Sequence, residues 1–268
     1  MKNSISELER KAYIYRRRFL ELFTSIGFGH VTSAFSWAEI ATVLYNEIIE
    51  GIPGDSDADK VVISKGHGAG IVFPIFEDMG LFSSDEMNQL IQVGGNAAVL
   101  KQYFYPGFDF YGGALGIGLG CAAGLAKAGK ATGADWNVYC IIGDAETYEG
   151  AIWEAATFAG FQKLDNLIVV IDRNRLGCSD FTEHMLALEP ISAKWLAFNW
   201  DVSEVDGHDV SELYSILSKK KNEKNGKPHC IIANTNKGQG LKYLIDKPFM
   251  HGYMPKGDEI EKAFRLLE

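Results

Sequence analysis

The sequence lacks the features that define several classes of protein. It has only four cysteines, at positions 121, 140, 178 and 230, and their spacing matches no CxxC pair or other common metal motif. It has no run of about 18 or more apolar residues, the length that a membrane-spanning helix requires. Its first residues mix acids and bases and lack the apolar segment of a signal peptide. These absences predict a cytoplasmic protein that does not bind membranes.

Positive charge is also scarce. The 26 lysines and arginines are outnumbered by 35 aspartates and glutamates, which gives a net charge of −9 at neutral pH. Nucleic acid is therefore not an expected partner, because phosphate backbones bind to basic surfaces. A small anionic ligand can still bind where backbone amides, a metal ion or a few histidines hold its charge.

Short apolar runs alternate with helical segments along most of the chain. Five of these runs predict strands because they are apolar and rich in β-branched residues: VVI, VYCII, LIVVI, DVSEV and HCIIAN. Buried strands that alternate with helices are typical of an α/β fold, a parallel sheet with helices on both faces. Because the chain shows no repeat and no clear linker, residues 1–268 are predicted to form a single domain.

Other segments give local predictions. Apolar residues recur at helical spacing from residue 4 to residue 26, which predicts one long helix. The stretch HVTSAFS, residues 30–36, is expected to be a loop that leads to a second helix. Ser83 and Glu86 have the spacing of a capping box and predict another helix start. Residues 94–113 are aromatic and glycine-rich, with no clear period.

Polar residues follow two predicted strands at the points where ligands gather in parallel sheets. Gly143 and Asp144 come directly after VYCII, and Asn174 follows LIVVI at a distance that one helical crossover covers. A carboxylate, an amide oxygen and the nearby carbonyl of Leu176 are hard oxygen ligands that suit Mg²⁺ or Ca²⁺. On spacing alone, an ordinary loop aspartate and a turn-forming asparagine are the alternative.

Longer motifs extend this pattern. Residues 143–176, GDAETYEGAIWEAATFAGFQKLDNLIVVIDRNRL, resemble the thiamine diphosphate motif, and their EG, EA and LDNLIVVIDRN elements resemble transketolases. SKGH, GGALGIGLGCAAGLA, DVSEVDGHD and KGQG…HG match that family in the same order. The resemblance covers about residues 10–260. It implies the thiamine diphosphate-binding fold of the transketolase N-terminal region, the PP-type domain.

The resemblance also implies a set of ligands for the cofactor and its metal. The resemblance implies that Asp144, Asn174 and the carbonyl of Leu176 coordinate the metal ion that binds the diphosphate. The implied ligands of the diphosphate are His67, His251 and the backbone amides around Gly143 and Ala145. These amides are expected to start a helix, whose dipole favours an anion.

Further residues resemble parts of the family's active site. His30 resembles a histidine near the reacting oxygens of the substrate, where an imidazole can exchange protons; a loop histidine that caps the first helix is the alternative. Gly113 and Leu115 lie in a glycine-rich segment that is implied to contact the cofactor, with the backbone of Leu115 at the pyrimidine ring. The implied catalytic residues are His30, His67, His251 and Glu149.

Two positions depart from the family pattern. Ala145 stands where the family has glycine, and alanine does not easily adopt a positive φ. Phe108 stands where many transketolases carry a histidine that touches the sugar donor. The second departure suggests either an unusual ketose substrate or a loop that simply packs against the protein.

The resemblance stops before the second half of a transketolase. In the family, a glutamate of the second domain activates the cofactor. Glu149 matches the interface carboxylate that hydrogen-bonds to this glutamate; the alternative is that Glu149 is an ordinary surface acid. The resemblance therefore implies the N-terminal subunit of a two-chain transketolase. Its partner would be a C-terminal subunit with the pyrimidine-binding domain, in a heterotetramer that moves a two-carbon ketol unit from a ketose to an aldose.

Two other functions are compatible with these motifs. The α subunit of a 2-oxo acid dehydrogenase uses the same half of the fold, although SKGH and GGALGIGLG favour transketolase. The chain would instead be a cofactor-binding module without catalysis if Ala145 impairs the site.

Overall fold

The strands form one six-stranded parallel sheet. A computed structural model describes residues 1–92 and 106–267. The strands are β1 Lys60–Ile63, β2 Phe110–Tyr111, β3 Val138–Gly143, β4 Leu167–Arg173, β5 Asp201–Asp206 and β6 His229–Asn234. Their order is β2-β1-β3-β4-β6-β5, and each neighbouring pair is parallel. All five predicted strands are confirmed, whereas β2 is too short to show a pattern in the sequence.

Helices connect the strands. They are α1 Ile5–Thr24, α2 Val31–Ser36, α3 Ala38–Val43, α4 Val72–Asp78, α5 Ser84–Gln92, α6 Ile117–Thr132, α7 Gly150–Phe161, α8 Thr182–Met185, α9 Ile191–Ala197, α10 Val210–Asn222 and α11 Asp258–Arg265. Within residues 1–92 and 106–267, none of them combines the length and the apolar character that crossing a membrane requires.

Two predicted helix starts are confirmed by their caps. Ser4 caps α1, and its side chain and that of Glu7 form a capping box. Ser83 and Glu86 exchange the same pair of bonds at the start of α5. Most of the aperiodic segment, residues 94–105, lies outside the described residues.

Residues 30–36 are not the loop that the sequence predicts. Val31–Ser36 is the helix α2, and all six of its residues are buried. Valine, serine and threonine have a low intrinsic helix propensity, so the sequence pattern is weak here. Burial of the whole segment stabilises the helix instead, since tertiary packing provides most of the stability of short helices.

The hydrophobic core lies on both faces of the sheet. Successive strand residues point to opposite faces, so Ile141 packs with α1 to α4, whereas Ile142 packs with α6, α7 and α9. Every residue of β4 is buried, as expected for a central strand that is covered on both sides. The α/β fold with helices on both faces is therefore confirmed.

The carboxyl ends of β3, β4 and β6 lie side by side. Gly143 pairs with Asp172 in the parallel register, and the Asp144 N–H donates to the Asp172 carbonyl at 3.3 Å. On the other side of β4, Arg173 pairs with Asn234. The sheet thus brings polar residues from three separate parts of the sequence to one edge.

Candidate cofactor and metal site

Asp144 lies directly after β3, with 1% of its surface exposed. Its Oδ1 accepts a hydrogen bond from the Ala145 N–H at 2.7 Å. Its Oδ2 accepts bonds from Arg173 Nη1 at 3.0 Å and from the Arg175 N–H at 2.6 Å. Burial and the charge of Asp172 raise the pKa of Asp144, and Arg173 opposes this rise. Three donors therefore hold the carboxylate in one orientation.

Asn174 and Leu176 follow β4 beside this carboxylate. The Oδ1 of Asn174 accepts a bond from the Leu176 N–H at 3.1 Å, and its Nδ2 donates to Asp172 Oδ2 at 3.1 Å. The bond from the Arg175 N–H to Asp144 ties the segment 174–176 to Asp144. The structure thus brings the three predicted metal ligands together at one edge of the sheet.

Lys237 lies among these residues, and the sequence interpretation missed its role. Its Nζ donates to the carbonyls of Leu176 and Gly177 at 3.1 and 2.9 Å and contacts His251 Nδ1 at 3.2 Å. Burial lowers the pKa of Lys237 to about 8, although the charge of Asp144 opposes this shift. Its place at the start of the KGQG motif was the signal in the sequence. The Leu176 carbonyl therefore already has a cation beside it.

His30, His67 and His251 form a cluster of rings. Their centroids are 5.7 Å apart for His30 and His67, 5.2 Å for His30 and His251, and 4.6 Å for His67 and His251. Burial and neighbouring positive charges lower all three pKa values, that of His251 to about 3. The three imidazoles are therefore neutral at neutral pH, and each can offer one N–H to an anion.

A buried ion pair between Lys65 and Asp172 lies next to the proposed metal ligands. Lys65, of the SKGH motif, donates to Asp172 Oδ2, and Ser36 and Thr235 donate to Asp172 Oδ1. Burial raises the pKa of Asp172, but Lys65 and these hydroxyls outweigh burial and lower it. Asp172 is thus an ionised group that orients the side chain of Asn174 by accepting its N–H.

The segment after Asp144 starts a helix, as predicted, but only a short one that Asp144 caps. It forms a short 3₁₀ turn, Ala145–Tyr148, and α7 begins only at Gly150. The physical reason is Glu146, a buried side chain that folds back and accepts a bond from the Gly143 N–H at 3.0 Å. A helix of four residues has only a small dipole, so the dipole contributes little to anion binding at these amides.

The alanine at position 145 does not strain the backbone. Its φ is not positive, so the conformation is open to any residue. Its N–H donates to Asp144 Oδ1 at 2.7 Å. The departure from glycine is thus tolerated in the fold, and diphosphate contacts of Gly143 and Ala145 stay a prediction.

Gly113, Leu115 and Glu149 lie on the exposed rim of the site. Leu115 is 43% exposed, and a Cβ added to Gly113 would meet no atom of the described residues within 4 Å. Glu149 is exposed at the start of α7 and packs against Gly116, where an added Cβ would come within 2.6 Å of the Glu149 Cβ. These three residues are accessible to a ligand or to another chain, and their predicted roles stay predictions.

Phe108 is part of the core. It is 8% exposed, and its ring lies 6.1 Å from that of Phe76 and 6.3 Å from that of Tyr111. Of the two interpretations of this departure, the structure favours packing over a contact with the substrate.

The chain matches known proteins over nearly its whole length. Residues 10–267 match the family described as transketolase, thiamine diphosphate binding domain. The chain is 37% identical to one subunit of the apulose-4-phosphate transketolase of Actinobacillus succinogenes, over 99% of this chain and 97% of that one. It is 34% identical to the 6-deoxy-6-sulfo-D-fructose transketolase subunit SqwG of Clostridium sp., over 96% and 94%.

A solved structure agrees with these matches. Transketolase from Leishmania mexicana superimposes with a TM-score of 0.86 at 26% identity, over 98% of this chain and 41% of that one. The parallel sheet with helices on both faces is thus the α/β fold of a thiamine diphosphate-binding domain. The chain belongs to the family of transketolase thiamine diphosphate-binding domains. It spans about two fifths of the solved transketolase.

Proposed function

We propose that this chain is the diphosphate-binding subunit of a two-chain transketolase and forms a single domain over residues 1–268. The complex transfers a two-carbon ketol unit from a ketose to an aldose. The observation that carries this proposal is the convergence of Asp144, Asn174 and Leu176 beside the histidine cluster in a chain of this family.

The residues fit thiamine diphosphate and a divalent metal. Two buried polar atoms near the histidine cluster, His30 Nδ1 and Ser33 Oγ, have no hydrogen-bond partner in the part of the chain that the structure describes. Such atoms are costly unless a ligand or water satisfies them. Lys237 supplies positive charge that offsets a diphosphate, although the chain as a whole is acidic.

We assign the site residues by their chemistry. Asp144, Asn174 and the Leu176 carbonyl would hold the metal, with Mg²⁺ or Ca²⁺ suited to these oxygens. His67 and His251, which are neutral, would each donate an N–H to phosphate oxygens. When bound, the cofactor supplies the electron sink for breaking the carbon–carbon bond, and the protein orients it.

His30 and Glu149 have different proposed roles. The buried Nδ1 of His30 has no hydrogen-bond partner within residues 1–92 and 106–267, so this nitrogen is available to exchange a proton with the oxygens of the sugar. Glu149, on the rim, would bond the activating carboxylate of the partner. Gly113 and Leu115 would contact the pyrimidine ring through their backbone.

We infer that the partner is a C-terminal transketolase subunit with the pyrimidine-binding domain, in a heterotetramer. The two relatives are named as subunits, which supports a two-chain enzyme. The two relatives are named for different sugars, and their identities to this chain are similar. The comparison therefore does not select one sugar as the substrate of this complex. A cytoplasmic location is supported by four cysteines that are all unpaired.

We propose that the partner docks on a surface of this chain, here called the α6/α7 face. It carries Ile117, Phe158 and Phe161, which are 50%, 43% and 79% exposed. Gly120 and Gly124 line it with open space around them, which allows the backbone of another chain to approach closely. Apolar patches of this kind mark sites of protein interaction. The face continues to the rim of the cofactor site, where a second chain would complete that site.

A ketol-transfer assay of the complex tests the proposed reaction. The chain, co-expressed with the C-terminal subunit of the same organism, should transfer two carbons from a ketose to an aldose when thiamine diphosphate and Mg²⁺ are present. The donor panel should include apulose 4-phosphate and 6-deoxy-6-sulfo-D-fructose. Decarboxylation of 2-oxo acids with acyl transfer to lipoamide, and no ketol transfer from any donor, would contradict the proposal.

A charge on the α6/α7 face should weaken the complex. We expect Phe161→Asp to raise the dissociation constant for the partner at least about 30-fold, because buried aromatic anchors contribute about 2 kcal/mol or more. The melting temperature of the chain itself should change little, since Phe161 is exposed. Tyr13→Asp is the matched control, because Tyr13 is 52% exposed on α1, on the other side of the sheet. Equal affinities in both variants would exclude this face.

A further inference from the structure

Every N–H of the Arg173 guanidinium is hydrogen-bonded at the edge of the sheet that carries the proposed metal ligands. Nε donates to Glu189 Oε1 at 3.2 Å, and Nη2 donates to Glu189 Oε1 at 2.7 Å and Glu183 Oε1 at 3.2 Å. Nη1 donates to Asp144 Oδ2 at 3.0 Å and to Thr182 Oγ1 at 2.9 Å. A guanidinium has about five N–H donors, so none of them is left over.

The buried part of this network lies at Asp144. The side chains of Glu183 and Glu189 are 39% and 50% exposed, whereas those of Arg173 and Asp144 are each 2% exposed. Ion pairs with exposed carboxylates contribute little, since water solvates both partners. In the contact with Asp144, by contrast, both side chains are buried, so water cannot replace either partner.

This contact decides which oxygen of Asp144 is available. A carboxylate has about four lone-pair sites, two on each oxygen. Both sites of Oδ2 are taken, by Arg173 Nη1 and by the Arg175 N–H. Oδ1 accepts from the Ala145 N–H and retains one site. A cation can therefore bind Oδ1 but not both oxygens at once.

We propose that Arg173 is a positioning residue that makes Asp144 a one-oxygen ligand and thereby favours Mg²⁺ over Ca²⁺. The inference rests on the proposed function, in which Asp144 holds the metal. Ca²⁺ accepts about six to eight oxygens, including both oxygens of one carboxylate, whereas Mg²⁺ needs about six in octahedral geometry and retains water. The guanidinium at Oδ2 also repels a cation that approaches between the two oxygens.

The test compares two metals on the complex of this chain with the C-terminal subunit. Thiamine diphosphate binding is measured by calorimetry while Mg²⁺ or Ca²⁺ is varied, and the ratio of the two half-saturating concentrations is the readout. The wild-type complex should need less Mg²⁺ than Ca²⁺. Arg173→Met should shift the ratio about tenfold towards Ca²⁺, the size of effect that partners of metal ligands have. Arg173→Lys, which retains the charge, should shift it less in the same direction.

Glu189→Gln is the control variant. It alters the exposed end of the guanidinium network and leaves the contact with Asp144 in place, so its ratio should equal that of the wild type. A loss of packing alone would lower the melting temperature and weaken both metals equally, without changing the ratio.

Each outcome has a defined meaning. An unchanged ratio in folded Arg173→Lys and Arg173→Met, or a wild type that prefers Ca²⁺, would overturn the inference about Arg173 and leave the proposed function intact. If neither Mg²⁺ nor Ca²⁺ supports thiamine diphosphate binding by the wild-type complex, the proposed function is overturned, and the inference with it.

Discussion

The purified chain should show no measurable ketol transfer on its own, and addition of the C-terminal subunit should restore it. The physical reason is that a protein carboxylate must hydrogen-bond to the pyrimidine ring to activate the cofactor. The family resemblance assigns this carboxylate to the second half of transketolase. The loss of an acid or base at the reacting group lowers the rate about 10²- to 10⁴-fold. We therefore expect the lone chain to be at least about 1,000-fold slower than the complex.

The assay should use saturating thiamine diphosphate and Mg²⁺, with the partner titrated into a fixed amount of this chain. Activity should rise with the partner and reach a plateau at a fixed ratio of the two chains. The partner alone is the control and should also be inactive, because the diphosphate site lies on this chain. Turnover by the lone chain within about tenfold of the complex would contradict a site shared between two chains.

Asp144→Ala should abolish metal-dependent binding of thiamine diphosphate. Asp144 is the only carboxylate among the three proposed metal ligands, and its loss also removes the buried partner of Arg173. We expect affinity for the cofactor in the presence of Mg²⁺ to fall at least about 100-fold, in line with losses of metal-site contacts. Asn174→Ala, which removes a neutral ligand, should have a smaller effect in the same direction.

Two further variants separate the metal site from folding. Asp144→Asn preserves the shape and most hydrogen bonds of the side chain while it removes the charge, so it should fold and still bind the cofactor poorly. Asp206→Asn is the matched control, since Asp206 is an exposed acid at the carboxyl end of β5. Calorimetry should show wild-type affinity for this control. Wild-type affinity in Asp144→Asn and Asn174→Ala would remove the metal assignment.

The parts of the site that follow strands could be predicted from the sequence. β-Branched runs locate the strands, and in a parallel sheet their carboxyl ends share an edge, which places Asp144 beside Asn174. The family resemblance added the histidines, which do meet in one cluster although they are far apart in the chain. No pattern of spacing alone connects positions 30, 67 and 251.

The contacts of buried charges could not be predicted in this way. Lys65 pairs with Asp172, and Lys237 meets the Leu176 carbonyl, across more than 60 positions. Such pairs depend on tertiary packing, which local periodicity does not report. Glu146 shows the same limit: its bond from the Gly143 N–H and the shortness of the 3₁₀ helix that starts at Ala145 have no signal in the local pattern.

The most direct test of the central claim is the position of the metal in a crystal of this chain grown with thiamine diphosphate and Mn²⁺, whose anomalous signal locates it. One ion should be bound to Asp144 Oδ1, Asn174 Oδ1 and the Leu176 carbonyl and to the diphosphate, at about 2.0–2.3 Å from each oxygen. A diphosphate bound without an ion at these oxygens, or bound elsewhere on the chain, would contradict the central claim.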